Sequence, residues 1–429
     1  MTATEDFTLA NGMRFIVDAD DATPAVTVGV WVRAGVCEEP ADRRGIAHLL
    51  EHMMFRGSES VGPQEHDRRI RRVGGRCNAF TSFDAAVYFE TVPAHALEEV
   101  FTLEADRFQR LRIAPDRFEV ERKVVLEEFH AYMNQPIQRA FREMIHGIAA
   151  EHPYGIDPLG REEDLRAATA GDLEAYHAAR YRPDSVFCVV AGNTAADEVR
   201  ALAENHFGAW RADGTAAGPD VGRFEARVGS LKMRVPLQVP AFARVHRLLP
   251  ARDEDVHALQ LLRRLVSAGE SSPLYDELVR RRRLCVDAGH VEYCLARGGV
   301  LVFYGAFLPP GRNAPRRRIA RDVCDRLAEE GPDADEFARH LKKRRTEMAR
   351  EAYSTERRMR GLGHAELSLG DYRIHTTELD ALAAVTPARV RDLAARMFHP
   401  DNTLELDVAP TKQAWWLIPV GLLRKVWPL

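Results

Sequence analysis

The chain has 429 residues, 29% of them charged and 45% apolar, with a formal net charge of −4. That length supports two or more domains with their own cores, and the near-balance of charge excludes the basic footprint of a nucleic-acid-binding protein. The 6 cysteines show no Cys-x-x-Cys spacing, which speaks against a cysteine zinc site or a disulfide scaffold and fits a reducing, cytoplasmic setting.

The opening stretch MTATEDFTLANG has no basic or apolar leader pattern, so no signal peptide is expected. From Ala25, AVTVGVWVRAG alternates as a strand. HLLEHMMFRG follows, from His48 to Gly57, as a short helix bracketed by Gly45 and RGSES. His48 and His52 are one turn apart, so both imidazoles lie on one face with Glu51 beside them. Two neutral imidazoles suit zinc, and an adjacent carboxylate suits a general base. The order is H-x-x-E-H, the reverse of H-E-x-x-H.

Next come GGRCNAFTSFDAAVYF from Gly74, with AAVYFETV read as a strand, and then two helical patterns. These are HALEEVFTLEADRFQRL and DRFEVERKVVLEEFHAYM. Zinc that keeps a position open for water needs a third protein ligand, and the second of these helices offers Glu119, Glu121, Glu127 and Glu128. Glu121 and Glu128 share a face near Val124 and Val125, so that face is expected to turn inward. Glu127 points about 100° away and is expected in solvent.

The chain then repeats itself. LRAATAGDLEAYHAARYRPDSVFCVVAG from Leu165 aligns without a gap on LAAVTPARVRDLAARMFHPDNTLELDVA from Leu382. Thr169 meets Thr386, Tyr181 meets Phe398, Pro183 meets Pro400 and Asp184 meets Asp401. Each copy reads as an N-capped helix, a Pro-Asp stop and a strand. The Gly- and Ala-rich stretch from Ala209 to Ser230 reads as a linker. The expected division is therefore a first domain over 1–208, a linker over 209–230 and a homologous second domain over 231–429. Each domain is expected to be α+β, a mainly antiparallel sheet covered by helices.

The second half also contains QLLRRLVSAG, which matches HLLEHMMFRG when Gly269 is set on Gly57. Leu261 and Leu262 keep the apolar scaffold, while Gln260, Arg263 and Arg264 replace His48, Glu51 and His52. The scaffold does not require the triad, which weakens coincidence or a structural need as its explanation. His95, His130, His152 and His177 lack ligand spacing and read as surface or capping residues, Tyr154 reads as packing, and Asp84 receives no role. The tail AWWLIPVGLLRKVWPL is short for a membrane span and contains Arg424 and Lys425. It is expected to dock on the protein body, although its Trp415, Trp416 and Trp427 also suit an interface.

His48-Leu-Leu-Glu51-His52, followed far downstream by an E-R-x-V-V-x-x-E helix, resembles the inverzincins of the pitrilysin type, peptidase family M16. The Gly-Gly-x-x-Asn-Ala segment from Gly74 and HPYG from His152 strengthen the likeness. Length and duplication look like the M16B branch, which includes processing peptidases. The resemblance implies zinc held by His48, His52 and Glu128, with Glu51 activating water and Glu121 orienting the site. It implies that a peptide adds as a strand at Asn78 and Ala79. It also implies half-clamshell chains that pair to enclose a chamber.

One departure stands out. The family pattern L-R-E-x-R-G-L-x-Y supplies an Arg and a Tyr that bind substrate and the tetrahedral oxyanion, whereas this chain reads LVRRRRLCV, with Val279 and Val286 in their places. The expectation is a zinc endopeptidase whose homologous partner subunit supplies that pair, in the manner of family heterodimers that trim leader peptides from modified peptide natural products. A homodimer is the alternative assembly. A non-catalytic structural or peptide-binding subunit is the alternative function.

Overall fold

The computed structural model describes residues 4–149, 151–211, 219, 221–248, 255–308 and 313–411. Its chain forms two compact units, and neither is a contiguous half. One comprises Met1–Ala131, Ile156–Val221 and Ala349–Thr376; the other comprises Tyr132–Gly155, Gly222–Met348 and Thr377–Leu429. These units differ from the expected halves 1–208 and 231–429 by two exchanged segments, Tyr132–Gly155 and Ala349–Thr376.

The first unit holds a six-stranded sheet of β1 (Thr4–Thr8), β2 (Arg14–Ala19), β3 (Ala25–Val32), β4 (Arg76–Thr81), β5 (Ala86–Pro93) and β6 (Val186–Gly192). The order is β1-β2-β6-β3-β5-β4. All neighbours are antiparallel except β2 and β6. β4 is an edge, paired on one side only, with Asn78 opposite Phe89 and Ala79 opposite Tyr88.

The alternation read in AVTVGVWV predicts one wet face, but Val26 to Val32 are all buried. The helix Thr355–Leu369 explains this, for it packs on β3 and β6. Met359 and Leu362 join Trp31, Phe89, Phe187 and Val189 in one apolar cluster. Gly363 lies under the Trp31 ring with no room for a β-carbon. Thr27, the polar residue of the buried run, shares hydrogen bonds with the hydroxyls of Thr91 (2.9 Å) and Thr355 (2.8 Å), which removes the cost of an unpaired buried hydroxyl.

The second unit holds β7 (Gly229–Val235), β8 (Ala241–Leu248), β9 (Asp287–Leu295), β10 (Gly298–Ala306) and β11 (Thr403–Pro410). The order is β7-β11-β8-β10-β9, with β7 and β11 parallel and the other neighbours antiparallel. Setting β2, β6, β3, β5 and β4 against these five in turn reproduces the order and the directions, which is the duplication seen as topology. The repeated segments behave alike. Thr169 and Thr386 both cap helices, accepting the N–H of Asp172 and of Arg389, and each helix leads through its Pro-Asp turn into β6 or β11.

The expected linker is held at both ends. Trp210 is buried against Phe108 and Phe207. Phe224 is buried and its N–H binds Arg297 O, and Gly229 already belongs to β7. Among the described residues no helix is long and apolar enough to cross a membrane. The Trp-rich tail lies outside the described residues.

Candidate metal centre

The site is built from α1 (Ile46–Met53), α2 (Glu65–Arg72), α3 (Leu97–Gln109), α4 (Pro115–Met133) and the strand β4. Gly45 starts α1 at φ 99°, a conformation that glycine adopts without a β-carbon clash. The buried carboxyl of Glu39 accepts the N–H groups of Gly45 and Ala47, each at 3.0 Å. This satisfies donors that a first helical turn leaves unpaired. Leu49, Leu50 and Met53 are fully buried, so the helix cannot rotate without losing its core contacts.

That anchoring leaves His48 and His52 side by side, ring centroids 4.8 Å apart. His52 Nδ1 bonds Glu121 Oε1 at 3.0 Å. The other nitrogen, Nε2, lies 3.4 Å from Glu128 Oε2, and His48 Nε2 lies 3.9 Å from the same oxygen. One donor atom from each of His48, His52 and Glu128 falls within 4.8 Å of the others. Two imidazole nitrogens and one carboxylate oxygen form the donor set of a zinc site with an open position, so these residues fit that ion.

Glu121 is buried, and the Arg56 guanidinium grips it at 2.5 and 2.8 Å. A carboxylate bonded to a histidine in this way restrains the tautomer and the ring plane. The face carrying Glu121 is less uniformly inward than its sequence suggests. Val125 is buried, but Val124 is 44% exposed and the Glu128 side chain is 48% exposed. Glu127 is exposed, as its direction on the helix implies.

Charges on these groups follow from their surroundings. Burial disfavours a proton on His52, yet its bonds to Glu121 and Glu128 outweigh that and hold it up at about 9. Burial and the neighbouring His52 push His48 down to about 4. Burial lifts Glu51 above the ordinary carboxylate range, opposed by a hydrogen bond from Thr81. That bond, Thr81 Oγ1 to Glu51 Oε2 at 2.6 Å, ties the last residue of β4 to the motif.

Thr81 was not legible as a site residue, nor was a second buried polar cluster beside the motif. His66, Glu90 and Glu104 also bring three donors together, but the cation there is Arg107. Its guanidinium binds Glu90 Oε1 at 3.1 Å and Glu104 Oε2 at 3.0 Å, and lies over the rings of Phe55 and Tyr88. Burial would strand these carboxylates without it. The available signal was Glu104 and Arg107 one turn apart on the apolar stripe of LEADRF. The remaining polar readings resolve simply. His130 pairs with Glu162 at 3.0 Å, while Tyr154 is buried and its hydroxyl accepts the Arg297 N–H at 3.0 Å.

In the second unit the helix Val256–Ser267 presents Gln260, Arg263 and Arg264 where α1 presents its triad. Gln260 donates to Glu378 at 2.6 Å and accepts from Arg344 at 2.8 Å. Arg263 pairs with Glu292, and Arg264 pairs with Glu347. Each triad position is thus closed by a protein partner. Val286 is buried and Val279 packs on the core of the same unit. Arg283 holds φ 51°, in the left-handed region that favours glycine.

Residues 14–160 match the model of insulinase (peptidase family M16), and residues 167–344 match the peptidase M16 inactive domain. An uncharacterized zinc protease of Mycobacterium leprae is 30% identical over 397 residues, covering 91% of this chain and 88% of that one. The chain belongs to peptidase family M16. His48, Glu51, His52, Glu121 and Glu128 fall inside the insulinase match, and Val279 and Val286 fall inside the M16 inactive-domain match. The mitochondrial-processing peptidase subunit beta of Blastocladiella emersonii is 30% identical over 200 residues, 47% of this chain and 43% of that protein. A crystal structure of a protease from Helicobacter pylori superimposes with a TM-score of 0.87 at 23% identity, covering 95% of this chain and 100% of that one. That likeness supports the M16 fold.

Proposed function

We propose that this M16 chain is a zinc-dependent endopeptidase for peptides or unfolded segments, and that it acts as the zinc-bearing subunit of a heterodimer. The observation that carries the reading is the convergence of His48, His52 and Glu128, with Glu51 tied in place beside them. Zinc held there would supply Lewis acidity for amide hydrolysis. Glu51 would take the proton of the attacking water and pass it to the leaving amine. Glu121 and Arg56 would hold the ring of His52 in the ligating orientation.

The edge strand β4 would bind substrate through its main chain. There the Ala79 N–H is held at 2.9 Å by the Asn78 side chain rather than by another strand. Such binding demands an extended peptide and little sequence, which suits leader-peptide removal. The partner is motivated by Val279 and Val286, which cannot donate to an oxyanion. Loss of one such donor costs about two to three orders of magnitude in rate. A relative named as a processing-peptidase subunit is consistent with this reading. The same two valines favour the second reading, a peptide-binding subunit without activity.

Elemental analysis for zinc and hydrolysis of unfolded peptides separate the two, using wild type and Glu51→Gln. The variant should keep its metal and lose hydrolysis; equal hydrolysis by both overturns the peptidase reading. A homologous chain carrying Arg and Tyr but no His-x-x-Glu-His should raise activity when added. Full activity of this chain alone overturns the heterodimer.

A further inference from the structure

A cavity of about 670 Å³ opens beside the motif, lined by Glu51, His52, Phe55, Arg56, Gln64, Asp67, Arg68 and Arg71. The lining thus joins Glu51 and His52 of the proposed reaction site to the aromatic Phe55 and to Asp67, Arg68 and Arg71 of α2. The three arginines differ in what they have left to offer. Arg56 is engaged by Glu121 at 2.5 Å. Arg71 pairs with Asp67 at 2.7 Å, and Asp67 also receives a bond from Cys77. Among the described residues Arg68 has only Glu65, at 4.0 Å, beyond hydrogen-bond length, and its side chain is 65% exposed. Gln64, at the start of α2, holds φ 63° and lines the same cavity with an amide donor. A left-handed backbone on a non-glycine residue is strained, and such strain clusters at ligand-binding sites.

We propose that this cavity is the subsite for a substrate side chain flanking the scissile bond, and that Arg68, with Arg71 and Gln64 beside it, selects an acidic one. The inference rests on the peptidase reading. A glutamate suits the kinds of group in this lining: its methylenes can pack on an aromatic ring such as Phe55, and its carboxylate can take two parallel hydrogen bonds from the guanidinium of Arg68. The Arg71–Asp67 pair is exposed, and such pairs hold little energy, so Arg71 can turn to an incoming carboxylate. A lysine or arginine in the same place would meet the like charge of Arg68, whereas Arg56 and Arg71 are paired with Glu121 and Asp67.

The test uses the full zinc-loaded chain carrying Glu51→Gln, so that peptides bind without being cut. Three labelled extended peptides differ only in having Glu, Gln or Lys at alternate positions, and binding is read by fluorescence anisotropy. The Glu peptide should bind about tenfold tighter than the Gln peptide, the effect of one charge-assisted bond, and the Lys peptide weaker than both. Adding Arg68→Glu should abolish that ratio. Arg72→Glu, an equal charge change on α2 outside the cavity lining, should preserve it. Equal binding of the Glu and Gln peptides, or loss of the ratio in both charge variants alike, overturns the subsite while leaving the peptidase reading intact. Binding of none of the three peptides overturns both.

Discussion

The Thr81 hydroxyl donates a 2.6 Å hydrogen bond to Oε2 of Glu51. It joins the edge strand that would carry substrate to the carboxylate that would carry the proton. Thr81→Val keeps the shape and removes the donor. Its expected effect is a roughly tenfold loss of kcat on peptides, the equivalent of one side-chain bond to a charged group. KM and zinc content should stay close to wild type. Thr81→Ser should restore the rate, and failure of that rescue would show that the methyl group, not the hydroxyl, matters.

In the proposed site Glu121 would act on zinc through His52, which it contacts together with Arg56. Glu121→Gln removes the charge that receives His52 Nδ1 at 3.0 Å and leaves Arg56 without its carboxylate. Zinc affinity should fall by about 10–100-fold, the usual result of losing such a supporting carboxylate. Competition with a chromophoric chelator measures it. Unchanged affinity would reduce Glu121 to a structural ion pair.

Arg107 neutralises Glu90 and Glu104 in a fully buried pocket. Arg107→Met should destabilise the fold by about 3–5 kcal/mol, because it strands buried carboxylates. Urea denaturation reads the loss. Adding Glu90→Gln and Glu104→Gln to the same chain should recover much of it, since the penalty lies in the unpaired charge rather than in a missing contact.

Acid stability has a defined sign at His246. This residue is fully buried, bonded to Thr403 at 3.0 Å, and burial pushes it down to about 3. A histidine depressed in the folded state binds its proton in the unfolded chain first. Its contribution is complete above the unfolded value near 6.5 and is lost as pH falls toward 3. At pH 5 the loss from this one residue is about 2 kcal/mol. Denaturant midpoints measured from pH 7.5 to 5 should fall accordingly. His246→Asn, which keeps a partner for Thr403, should be less sensitive over that window.

The motif and the repeat were readable because both depend on local geometry. Four residues make one helical turn, so His48 and His52 had to share a face. Thr169 and Thr386 had to begin helices, since each is followed by an apolar stripe and then a Pro-Asp stop. The empty copy QLLRRLVSAG showed that α1 needs its leucines for folding and its histidines for something else. Choosing Glu128 over Glu119, Glu121 and Glu127 needed the family likeness, because helical phase alone left Glu121 and Glu128 equivalent.

Sequence by itself determined which side chains could share a helix face, where each repeat begins and which half carries the metal donors. Tertiary structure alone decided what covers each apolar face. Periodicity reports that β3 has an apolar side; it cannot say that Thr355–Leu369, hundreds of residues later, buries the other. For the same reason the exchange of Tyr132–Gly155 and Ala349–Thr376 between units left no mark on the linker-based division. Thr81 and Arg107 were hidden likewise, because a hydrogen bond or a buried ion pair depends on distance in space, which folding sets and spacing along the chain does not.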